Sequence, residues 1–206
     1  METVYKLTNK DSKTRAGCYN EKQWGQNVTH TEPGAKELCG PGWLHAYASP
    51  LLAVLLNKAH ANFDESTMQL WECEAEVGLR KADKIGCTKI TTIRQISLPS
   101  FTTVQRQAFA ILVTKQVYKE SSFQVWSDNW LSNKDRSVTA ASAAYAATNA
   151  TCAANAATNA AYAAAYAAAY AANAAYAAAY AATRAARAAN AANLDLIAIA
   201  QEALKY

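Results

Sequence analysis

Beyond Pro99 the chain contains neither glycine nor proline, and its 206 residues include only seven glycines and four prolines in all. No residue type in the second half therefore marks a turn or stops a helix. Charge is scarce as well: Asp, Glu, Lys and Arg make up 17% of the chain, against about 25% in an average globular protein. Most of that charge lies before Arg136, so the two parts of the chain differ in surface chemistry.

Other absences exclude whole classes. Cys18, Cys39, Cys73, Cys87 and Cys152 are odd in number, irregularly spaced and without a CxxC pair, which argues against a disulfide scaffold or a zinc module. Reduced thiols are expected, and with them an intracellular protein. The opening METVYKLTNKDSKTRAG has no apolar core of a signal peptide, and no stretch reaches the roughly 18 to 20 strongly apolar residues of a membrane span. A net charge of +4 is carried by Lys and Arg interspersed with acids, so nucleic-acid binding is not indicated.

What is present falls into two parts. VYKLT (Val4 to Thr8) reads as a first strand, followed by a turn-rich stretch from Asn9 to Gly42. CGPG makes a tight turn into a short strand, Trp43 to Tyr47, and Ser49-Pro50 is an N-cap with proline opening a short apolar helix to Asn57. LWECEAEVG alternates strictly, Trp71, Cys73, Ala75 and Val77 against Glu72, Glu74 and Glu76, as a half-buried strand does. GCTKITTIRQISLP is rich in Thr and Ile and pairs with it. Thr102 to Gln105 has capping-box spacing for a helix over about 103 to 118, and Phe123, Trp126, Trp130 and Leu131 mark a second.

From Val138 onward the chain is nearly polyalanine. Alanine is the best helix former, so an unbroken helix to Lys205 would be roughly 100 Å long. Its other residues recur in steps of three and four, including Tyr162, Tyr166, Tyr170, Tyr176, Tyr180, Arg184 and Arg187. The mean step of about 3.5 is that of a left-handed coiled coil. Burying the stripe would bury the arginines and asparagines unpaired. The expectation is therefore that alanine faces pack between helices while Tyr and Arg line the outer surface, in a tail that assembles the protein into a homo-oligomer; a single solvated helix is the alternative. The fold expected is an α+β head, 1–136, followed by a long Ala-rich α-helical tail, 137–206, in a coiled coil or helical bundle.

Candidate chemistry is sparse. His30, Cys39, His45 and His60 do not share ligand spacing on any one element, so no metal is expected. CGPG lacks the GK[ST] that completes a phosphate loop. Glu72, Glu74 and Glu76 most simply form the wet face of a strand.

The run CGPGWLHAYASPLLAVLLNKAHANF, with LWECEAEV and GCTKITTIRQISLP, resembles a family encoded in bacteriophage and prophage genomes, in which a small domain precedes an Ala-rich repeat tail. The resemblance implies a phage-type accessory protein in the bacterial cytoplasm. Its turn, with Trp43, His45 and Tyr47, is the place to look for binding of a host protein or a small molecule. VYKLT, GWLHAYASPLLAVLL and the glutamate strand also resemble the ADP-ribosyltransferase layout, which implies Tyr47, Ser49 and Glu74 as NAD-gripping residues; the first strand offers only Tyr5 and Lys6 for the nicotinamide side. The leading expectation is a non-enzymatic, homo-oligomeric binding or inhibitory protein with no cofactor, acting on a host factor in the manner of an anti-defence protein. The alternatives are an ADP-ribosyltransferase-like enzyme and a structural virion or fibre component.

Overall fold

The alternation in LWECEAEVG is realised as one long strand. A computed structural model describes residues 1–38, 41–150, 156–169, 177, 181, 184–185, 188–189 and 192–206. Within it Trp71, Cys73 and Ala75 are buried while Glu74 and Glu76 are exposed. The chain divides into two units, Met1–Ser100 and Phe101–Tyr206.

In the first unit β1 (Glu2–Thr8), β2 (Lys13–Thr14), β3 (Lys22–Gln23), β4 (Thr29–Thr31) and β5 (Leu44–Ala46) are followed by α1 (Pro50–Leu55) and α2 (Asn57–His60), then β6 (Gln69–Arg80) and β7 (Ile85–Ile96). The main sheet has the order β1-β6-β7-β4, with β5 also on β7, and its pairs are antiparallel. Tyr5 and Tyr47 exchange backbone hydrogen bonds of 2.9 and 2.8 Å, which carries β5 back to β1 and closes a ring β1-β6-β7-β5. Inside it lie Val4, Leu44, Ala46, Cys73, Ala75, Ile85, Cys87 and Ile90, under Trp24. Burying each larger aliphatic side chain contributes about 1.5–3 kcal/mol. Ser49 caps α1 as expected, its Oγ accepting from the Leu51 N–H at 3.2 Å, with Pro50 at the first helical position.

The second unit holds α3 (Thr103–Val117), α4 (Ser121–Leu131), α5 (Val138–Ala150), α6 (Ala156–Ala169) and α7 (Leu196–Ala203). Both halves of the capping box at Thr102 and Gln105 form. α6 packs on α5 and α3, α7 packs on α3, and α4 packs on α5. Gln105 Nε2 donates to the Leu204 carbonyl at 3.0 Å, tying the start of α3 to the end of α7.

This arrangement corrects the expected fold in two respects. The N-terminal unit is an antiparallel sheet domain with two short helices rather than an α+β head. Among the described residues there is no long alanine helix: α5 and α6 are separate segments packed on each other, with α6 on α3 and α5 on α4. The physical reason is that α3 carries Phe109, Ile111 and Val113, all fully buried, and these need cover. Alanine lets a neighbouring backbone come close enough to supply it, and Ala160, Ala161, Ala163, Ala164 and Ala165 are buried. Each such contact outweighs the small intrinsic preference for continuing the helix. By packing, the chain divides after Ser100, because α3 and α4 pack with the alanine-rich helices. Composition changes where charge thins out, and packing changes where the sheet ends.

Candidate functional site

The chemistry of the turn lies in packing. Gly42 has φ +95°, and its carbonyl accepts from the Gly34 N–H at 2.8 Å, which aims Trp43 back across the β6–β7 pair. There the indole rests on two glycines. A Cβ on Gly78 would stand 2.5 Å from Trp43 Cζ3 and Cη2, and one on Gly86 would stand 2.6 Å from Leu38 Cδ1 and 2.9 Å from Trp43 Cδ2. Trp43 Nε1 is buried without a hydrogen-bond partner among the described residues. His45 Nε2 lies 2.6 Å from the Leu38 carbonyl. Burial holds the His45 pKa below the ordinary imidazole value, and Lys84 and Lys6 act the same way, so the neutral ring donates that bond. Cys39 and Gly40, also in the turn, lie outside the described residues.

Tyr47 is buried at the centre of a polar array. Its phenol lies 3.3 Å from His60 Nδ1, the two rings stack at 5.8 Å between centroids, and His60 Nε2 lies 3.3 Å from Asp83 Oδ2. Burial raises the Tyr47 pKa well above that of a free phenol, and the nearby Asp83 carboxylate adds to it. The phenol therefore stays protonated, within hydrogen-bond distance of the His60 ring. The array joins the end of α2, the strand β5 and the β6–β7 hairpin. Sequence reasoning missed Asp83, since KADK reads as an ordinary solvated turn.

Lys6 was also missed as a buried group. Its Nζ donates to the His45 carbonyl at 2.7 Å and lies 4.7 Å from the Trp24 ring centroid, with only 7% of the residue exposed. Burial pushes its pKa down to about 8. Burial pushes the thiols of Cys73 and Cys87 up to about 12 and about 11, so both are weak nucleophiles. The alternation of β1 placed Lys6 on the inner face, yet a lone lysine in a strand reads as solvated.

The other candidates are dispersed. Ser49 serves as a cap, Glu74 is exposed on the outer face of β6, and no hydrogen bond joins Glu74 to Ser49 or Tyr47. His30 Nε2 lies 2.7 Å from the Gln23 carbonyl, with its ring edge-on to Trp24. Among the described residues no three His, Cys, Asp or Glu side chains gather as a metal site. No described helix is long and apolar enough to cross a membrane. In the alanine-rich segment Tyr166 and Arg184 are half-buried, Tyr162 falls on α6, and Tyr170, Tyr176, Tyr180 and Arg187 lie outside the described residues.

The first unit is thus a small sheet domain whose signature turn, histidines and buried lysine hold its own strands together. Residues 2–104, half of the chain, match the model of a family described as a domain of unknown function, DUF7666, and the chain belongs to that family. No curated protein and no solved structure matches it.

Proposed function

We propose that this chain is a non-enzymatic, phage-type accessory protein that works in the bacterial cytoplasm by binding, and so inhibiting, a host factor. The observation that carries the reading is how the signature residues are spent. Trp43 packs on Gly78 and Gly86, His45 holds the Leu38 carbonyl, Ser49 caps α1 and Tyr47 is locked to His60. Groups engaged in this way build a rigid platform. A transferase would need Tyr47, Ser49 and Glu74 turned toward one substrate. The resemblance to phage-encoded proteins supplies the biological setting of the proposal.

Incubating the intact protein with labelled NAD and bacterial lysate separates the two readings. Label transfer that Glu74→Gln abolishes overturns the proposal in favour of the enzyme. Supporting it requires two results together: no transfer, and recovery of one bacterial protein in fixed stoichiometry with the intact chain.

A further inference from the structure

The hairpin β2–β3 is braced far more thoroughly than a surface loop needs. Asn9 Oδ1 accepts from the N–H groups of Asp11 and Lys13 at 3.0 and 2.8 Å, and the Glu21 carboxylate accepts from Lys13 Nζ and the Gly17 N–H at 2.7 and 2.8 Å. Within the tip, the N–H of Cys18 donates to the Arg15 carbonyl at 2.9 Å and that of Glu21 to the Cys18 carbonyl at 3.0 Å. At the root, Trp24 Nε1 donates to Thr14 Oγ1 at 2.9 Å. This scaffold holds out Arg15 to Tyr19, all exposed, with Tyr19 98% accessible. Tyr and Arg are the residue types that most often dominate binding energy. A tip already ordered loses little entropy on docking.

A matching surface lies on the outer face of β6 in the main sheet. Trp24, at the root of the hairpin, packs on the face that carries Lys6 and Cys73, so Glu74 points the opposite way by strand alternation. On that outer face Glu72 is paired with Arg94 at 3.0 Å and Glu76 with Lys89 at 3.8 Å. Glu74 sits between them with no ionic partner among the described residues, and Arg15 has none either. The cross-strand neighbours of Glu74 are Thr3 and Thr91, uncharged side chains that leave its carboxylate, among the described residues, the one unpaired charge in this row of three glutamates on β6.

We propose that copies of this chain dock head to tail, the hairpin tip of one seating Tyr19 and Arg15 on the outer face of β6 in the next, with Arg15 paired to Glu74. Tip and seat belong to different sheets and are different surfaces of the chain, so the contact is heterologous and repeats from copy to copy. The inference is independent of the host-factor reading, since that reading holds for a monomer as well as for an assembly.

Light scattering of the intact protein over a concentration series tests it, in a Cys18→Ser background that removes adventitious cross-linking through the exposed thiol. The mass is expected to rise with concentration, and less so at high salt. Tyr19→Ala, Arg15→Glu and Glu74→Arg are each expected to weaken association by about tenfold or more, with Tyr19→Phe retaining it. Mixing Arg15→Glu with Glu74→Arg creates two complementary tip-and-seat pairs, and association should return. All four positions are exposed or partly exposed, and a variant melting below the parent is judged by its behaviour in the mixture. A protein monomeric throughout, association untouched by the tip variants, or a mixture that stays monomeric overturns the proposal.

Discussion

Lys6 places an ammonium group among Trp24, Cys73 and Cys87, and this makes stability depend on pH in a direction unusual for a surface lysine. Its folded pKa is about 8, below the 10.5 of a free lysine. Between those values the unfolded chain binds more protons, so raising the pH favours the folded state. The thiols act the other way: their folded values of about 12 and about 11 exceed the ordinary 9.0, and stability falls as the unfolded thiols ionise above that point. Because the thiols offset much of the lysine's gain as pH 9 is approached, urea titrations should show stability climbing by about 0.5 kcal/mol from pH 7 to 9 and declining above it. Lys6→Met should remove the climb. At Gly78 the added methyl group would displace the Trp43 ring, since Cβ would meet it at 2.5 Å. Gly78→Ala is expected to destabilise by about 1–3 kcal/mol and to shift the Trp43 fluorescence; an unchanged denaturation midpoint would show that the indole is free to move.

At the scale of elements, local signals succeeded where a side chain meets its own backbone. Thr102 Oγ1 accepts from the Gln105 N–H at 3.1 Å, and Gln105 Oε1 accepts from the Thr102 N–H at 3.0 Å. Thr102→Ala should cost about 1 kcal/mol, read as a lower thermal midpoint of the helical signal at 222 nm. The strand β6 was legible from its Glu alternation, and β7 from its Thr and Ile content, because a half-buried surface requires that pattern. The alanine-rich helices were not legible as separate segments. Alanine satisfies a long helix and a short packed one equally well, and only α3, with Phe109 and Ile111 to cover, selects between them.

For the whole molecule, the division at Ser100 predicts where the chain is most open to cleavage. Ser97, Ser100 and Thr102 are exposed and lie between β7 and α3, outside both elements. Brief digestion with a protease of broad specificity should cut first between Ser97 and Thr102 and release two fragments that persist; a first cut near Arg136 would instead support a boundary set by composition. The sequence alone determined the strands β1, β6 and β7, the cap at Ser49, the capping box at Thr102 and the inward face of Cys73 and Ala75, because each depends on neighbours within a few residues. Tertiary structure alone decided that His60 stands between Tyr47 and Asp83, that Trp43 lies on Gly78 and Gly86, and that α6 folds onto α3. These contacts join residues far apart in the chain, and no local periodicity encodes which distant surface a buried group will find.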